Sequence, residues 1–242
     1  MRDSGRKAMA MGGQAGTALV IFDCDGVLVD SEPISVSVLL EVIGEAGLTL
    51  SEELAYERFL GVSLASTCSI LQEEYDLVMT AAALDSLRER LYSRFRANLT
   101  AIAGIADALH RLYQPFCVAS SGQPERIRLS LGLTGLLEKF EPHIFSATMV
   151  KNGKPAPDLF LHSAEAMGAE PARCVVVEDS PAGIQAARRA GMRVFAFAGG
   201  SHARRESYRD AITRAEPDLV FDDMTLLPDL VERGFPTRKV FS

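Results

Sequence analysis

The chain has 242 residues, 48% of them hydrophobic and 24% charged, as expected of a globular protein with one substantial domain and a smaller one. A formal net charge of −7 argues against the basic surface that nucleic-acid backbones require, and no apolar stretch approaches the roughly 20 residues that cross a bilayer. A cytoplasmic protein without nucleic-acid or membrane partners is expected.

Residues 1–17 are rich in Gly, Ala and small polar side chains without hydrophobic period, and read as a flexible tail. A first strand follows over about residues 18–23 and runs into Asp23-Cys24-Asp25-Gly26. Side chains two apart on an extended chain point to one side, so Asp23 and Asp25 can share a site. Two acids at the carboxyl end of an inner strand repel each other unless a cation or a reaction uses them. The same alternation turns Cys24 away, and its acidic neighbours disfavour a thiolate. Cys24, Cys68, Cys117 and Cys174 are scattered, which suits buried thiols better than zinc or disulfides. His110, His143, His162 and His202 form no pair at metal-binding spacing, and surface or helix-end roles are expected for them.

Residues 32–98 show helical spacing, with Leu39, Val42, Ile43 and Ala46 in one stripe ended by Gly47 and Leu84, Leu87, Leu91 and Phe95 in another. Beyond Ile102, apolar runs at 116–119, 144–146, 174–177 and 194–197 alternate with helical stretches at 124–131, 157–167 and 181–190. Unalternated apolar runs between helices predict a parallel sheet covered on both faces, a Rossmann-like α/β fold. The expected organisation is a catalytic core of residues 18–31 and 99–242, with residues 32–98 inserted as a small α-helical cap. Two crossings make such a cap a hinged lid over the carboxyl edge of the sheet.

Polar groups stand at or just past the end of each early inner strand: Asp23 and Asp25, then Ser120-Ser121-Gly122, then Lys154 in the loop after the third, then Glu178-Asp179-Ser180. Singly, each has a plainer role. The serines and Asp179 also suit helix caps, and Lys154 suits a solvated loop. Parallel strands, however, bring these ends to one edge, and together they point to metal-assisted chemistry.

With these motifs in order, residues 18–225 resemble the haloacid dehalogenase superfamily, in its phosphatase and phosphomutase branch with a helical cap. The resemblance rests on Asp23-Cys24-Asp25-Gly26-Val27-Leu28-Val29-Asp30-Ser31-Glu32, Val118-Ala119-Ser120-Ser121, Lys154-Pro155-Ala156-Pro157-Asp158 and Val177-Glu178-Asp179-Ser180-Pro181-Ala182-Gly183. It implies that Asp23 is the nucleophile that forms an aspartyl-phosphate and that Asp25 is the acid and base. It implies Mg²⁺ held by Asp23, the backbone carbonyl of Asp25 and Asp179, with Glu178 as ligand or outer partner. Phosphate contacts fall to Ser120, Ser121, Lys154 and the Gly26 amide. Gly183 is expected to serve close helix packing.

Family β-phosphoglucomutases carry a histidine and an arginine where this chain aligns Ser35 and Leu64, and residues 31–100 lack the lysine of phosphonate hydrolases. Both absences favour hydrolysis of a small sugar phosphate or a sugar-acid phosphate such as 6-phosphogluconate. A phosphomutase is the alternative, and a non-catalytic binder of phosphorylated metabolites a further one. Arg58 is the cap cation expected to touch substrate, with a helix-surface ion pair to Glu53 or an acid near Glu57 as its plainer role. A monomer or weak homodimer is expected.

Overall fold

The computed structural model describes residues 16–233. The expected tail therefore lies almost wholly outside the described residues, as do residues 234–242 of the expected core. The first strand, β1 (Leu19–Phe22), is buried at every position. The next four elements are all helical: α1 (Glu32–Glu45), α2 (Glu52–Phe59), α3 (Leu64–Tyr75) and α4 (Ala81–Asn98). Ser51, Ser63 and Thr80 start the last three by accepting hydrogen bonds from the amides of Leu54, Ser66 and Ala83. Val42 and Ile43 of α1 and Leu87, Leu91 and Phe95 of α4 bury the two apolar stripes in one core.

The two crossings between this helical cap and the sheet run side by side. Val29 bridges Ala101 in antiparallel fashion, the Asp30 amide donates to the Thr100 carbonyl at 3.0 Å and the Ile102 amide to the Leu28 carbonyl at 3.0 Å. The chain then alternates through α5 (Ile105–Arg111), β2 (Phe116–Ser120), α6 (Pro124–Leu133), α7 (Leu137–Phe140), β3 (Ile144–Ser146), α8 (Asp158–Ala166), β4 (Cys174–Glu178), α9 (Pro181–Arg189), β5 (Arg193–Phe197), α10 (Glu206–Arg214), β6 (Leu219–Phe221) and α11 (Leu227–Glu232). Among the described residues no helix is long and apolar enough to cross a membrane.

The six strands among the described residues are all parallel, in the order β3-β2-β1-β4-β5-β6. The chain builds outward from β1 through β2 to β3, then returns to place β4 on the other flank of β1. That reversal opens the crevice in which such sheets bind ligands. Register places Phe22 level with Val118 of β2 and Val177 of β4, so the residues after these strands stand abreast. Alternation along β1 sorts them by face. Leu19 and Ile21 join the core shared with the cap, whereas Val20, Phe22 and Cys24 join the core on the opposite face. Asp23 therefore projects toward the cap and Cys24 away from it, as alternation requires.

Candidate active site

Asp23 begins directly after β1, where its amide donates to the Val177 carbonyl at 2.9 Å. Its Oδ1 accepts a hydrogen bond from Lys154 Nζ, and the same ammonium donates to Glu178 Oε1 at 2.8 Å. The other oxygen of Glu178 accepts from the Ser180 amide at 2.6 Å and the Ser180 hydroxyl at 2.9 Å. Lys154 also lies over the Phe160 ring at 5.0 Å, so its buried end is fixed from both sides. A Cβ at Gly183 would stand 1.6 Å from Glu178 Oε1. Gly183 thus makes room for a carboxylate, which corrects the expectation that it serves helix packing.

One oxygen from each of Asp23, Glu178 and Asp179 lies within 4.8 Å of the others, and all three residues are buried. Burial pushes Asp23 and Asp179 well above the usual carboxylate range, and Glu178 adds to the rise in both, while Lys154 opposes it. Burial alone would pull Lys154 down, yet Asp23 and Glu178 hold it above the ordinary lysine range. One ammonium against three acids leaves the cluster short of positive charge. Asp179 Oδ2 is moreover buried without a hydrogen-bond partner among the described residues. An acid-rich oxygen cluster with an unsatisfied carboxylate oxygen fits a small, hard divalent cation. Glu178, already bonded on both oxygens, is less free than Asp23 or Asp179 to serve as a direct ligand.

His202 departs from its expected surface or helix-end place. It is 1% exposed, with Nε2 3.0 Å from Asp179 Oδ2 but not aligned for a hydrogen bond. Its ring meets Tyr208 edge-on at 5.0 Å, and the Tyr208 hydroxyl donates to the Asp179 carbonyl at 2.7 Å. Burial pulls the imidazole below the usual histidine range. Gly26 provides its space: at φ +77° its Cβ would fall 1.9 Å from Asp179 Oδ2 and 3.0 Å from the His202 ring. The Gly26 amide already donates to the Val29 carbonyl at 2.8 Å. It is therefore not the free phosphate donor expected, because the turn that carries Asp25 uses it.

Asp25 Oδ1 accepts from the Ser31 hydroxyl at 2.6 Å and from Arg126 Nη2 at 2.8 Å. The buried Ser120 hydroxyl accepts from the Gly122 amide at 3.0 Å, and the Ser121 hydroxyl donates to the cap carbonyl of Gly61 at 3.1 Å. Both serines, Asp23 and Asp25 line a cavity of about 420 Å³ between the strand ends and the cap, a volume suited to a small metabolite. Glu32 lines it too, and burial, then Asp179 and Asp25, push its carboxyl up to about 8.

Arg58 does not line the cavity; it forms an ion pair, as its plainer role expects, but with Glu74 of α3 and not with Glu53 or an acid beside Glu57. The half-buried cation in the cavity wall is Arg126. It was hidden because Glu125-Arg126 in the first turn of a helix reads as a solvated face. His202 lies beyond β5, where Ala198-Gly199-Gly200 follow the strand and no polar residue directly past its end marks the site.

The model of the haloacid dehalogenase-like hydrolase family matches residues 20–197. A 6-phosphogluconate phosphatase of Escherichia coli (strain K12) is 35% identical over 184 residues, covering 76% of this chain and 83% of its own. A fructose-1-phosphate phosphatase of the same organism is 31% identical over 179 residues, covering 72% and 92%. Among solved structures, a haloacid dehalogenase-like protein of unknown function from Agrobacterium tumefaciens is 40% identical, with a TM-score of 0.76 over 89% of this chain and 98% of that one.

Proposed function

Because this chain belongs to the haloacid dehalogenase-like hydrolases, we propose that it hydrolyses a small phosphorylated sugar or sugar acid through an aspartyl-phosphate on Asp23. The observation that carries this reading is the buried Asp23–Lys154–Glu178–Asp179 cluster, which reaches a cavity roofed by the cap through Asp23.

Asp23 would attack the phosphorus while the ester oxygen leaves with a proton from Asp25. Water would then attack the same phosphorus, giving its proton to Asp25 as the acyl-phosphate bond breaks to free Asp23 and inorganic phosphate. Lys154 and the Ser120 and Ser121 loop would hold the phosphate oxygens, since phosphoryl transfer depends mainly on position and charge. Asp23, Asp179 and the Asp25 carbonyl would hold Mg²⁺, with Glu178 orienting Lys154 and Ser180. When bound, the ion neutralises phosphate charge and keeps Asp23 ionised. Hydrolysis is favoured over isomerisation because Ser35 and Leu64 line the cavity where the mutase resemblance would need a histidine and an arginine.

Phosphate release from sugar, sugar-acid and polyol phosphates, with and without Mg²⁺, tests the proposal. Mg²⁺-dependent release is expected, and Asp23→Asn should lower it about 10⁴-fold or more while the fold persists. Near-normal turnover by the variant would remove Asp23 as nucleophile, and conversion to an isomer would support the mutase.

A further inference from the structure

Arg126 holds more donors than its place beside Asp25 requires. Its side chain, 24% exposed, rises from the first turn of α6 into the cavity. Nη2 donates to Asp25 Oδ1 at 2.8 Å and to Ser35 Oγ at 3.3 Å, while the guanidinium lies 5.6 Å from the centre of the Phe95 ring of α4. Nε is buried and has no hydrogen-bond partner among the described residues. The Asp25 oxygen it touches is already served by Ser31 at 2.6 Å. A half-buried guanidinium with one buried, unused donor is costly unless a further acceptor reaches it.

The other cations lining the cavity, Arg88 and Lys151, are exposed, and Arg88 pairs with Asp85 at 3.3 Å. Among the described residues that line the cavity, Arg126 is therefore the cation fixed by both core and cap. Its planar fork suits a carboxylate, which accepts two parallel N–H bonds. Neighbouring Ser35 offers a hydroxyl partner for a polyol chain.

We propose that Arg126 determines specificity by gripping a carboxylate on the leaving alcohol, so that the substrates are phosphorylated sugar acids rather than neutral sugar phosphates. This rests on the phosphatase reading above. Phe95 and Ser35 hold the guanidinium at the seam of the cap, so the same contact ties the bound acid to the closed cavity.

The test compares kcat/KM for acid and neutral esters of matched chain length: phosphoglycolate, 3-phosphoglycerate, 4-phosphoerythronate and 6-phosphogluconate against the corresponding polyol phosphates. Wild type should prefer the acid at its best chain length. Arg126→Gln should lower the acid-to-neutral ratio about ten- to a hundredfold, mainly through KM for the acid, with Arg126→Lys intermediate. Any loss through Asp25 affects both esters and cancels in the ratio. An unchanged ratio in both variants, with circular dichroism confirming their fold, overturns the proposal, as does wild-type preference for the neutral ester. Failure of wild type to release phosphate from any ester overturns the phosphatase reading instead, and this one with it.

Discussion

The strand-end side and the cap side of the cavity handle charge in opposite ways. At the strand ends, Asp23 lines the cavity and Lys154, Glu178, Asp179 and His202 cluster with it, all at most 5% exposed, with their polar atoms crowded against one another. The cap keeps its ion pairs in water: Arg90 bonds Glu45 at 2.7 Å, Arg94 bonds Glu41 at 2.9 Å, and Arg58 pairs with Glu74, all on partly or fully exposed side chains. Toward the cavity the cap shows mainly hydroxyls and apolar groups, such as Ser63, Ser66, Leu87 and Leu91. The strand-end wall is over-determined, because moving one group leaves another buried and unpaired. The cap is held by apolar stripes and can change what it presents to a substrate without losing its fold.

Lys154→Met puts this contrast to its largest test. Removing the ammonium strands Asp23 and Glu178 without their shared partner, and breaking a buried pair from one side costs about 3–5 kcal/mol. Urea melts should show that loss together with lost turnover. Arg90→Met removes an exposed pair and should leave the midpoint unchanged. Equal effects from the two substitutions would erase the distinction between the walls.

The sequence disclosed the strand-end wall far better than the cap wall, for a geometric reason. Parallel strands converge, so a polar residue just past an apolar run has a nearly determined location; Asp23, Ser120 and Glu178 are all found that way. His202 escaped because the chain runs through Ala198-Gly199-Gly200 before turning back toward Asp179, and spacing along a loop carries no direction. The places of Gly26 and Gly183 depend on which carboxylate occupies the missing Cβ, which only coordinates reveal. On the cap, helical period identifies the buried stripe but not which remaining face turns down. Arg58 could therefore be named as a cation but not assigned to Glu74 rather than substrate.

His202→Ala sharpens the comparison within the strand-end wall. The imidazole stands 3.0 Å from Asp179 Oδ2 without an aligned hydrogen bond, so any hold it has on that carboxylate comes from packing and polar proximity. Loss of such an outer partner should weaken divalent-ion affinity about ten- to a hundredfold, measured by calorimetry without substrate. KM for the phosphate ester at saturating metal should change little. Unaltered affinity would make the ring mere filler, and His202→Asn, which keeps a polar contact, should recover part of the loss.

The smallest expected effect lies where the walls meet. Glu32 opens the cap's first helix but is buried against the strand ends, and its carboxyl is pushed from 4.5 up to about 8. Between those values the folded, metal-free protein keeps a proton that the unfolded chain has released. Its contribution is therefore complete below about pH 4.5 and is lost as pH rises toward 8. Glu32→Gln mimics the protonated form and should flatten that decline, raising Tm relative to wild type at pH 8 in chelator, with little difference at pH 5. A parallel decline in the variant would show that Glu32 titrates like an exposed cap acid. The boundary between the two charge regimes would then lie at Ser31, not within the cap's first turn.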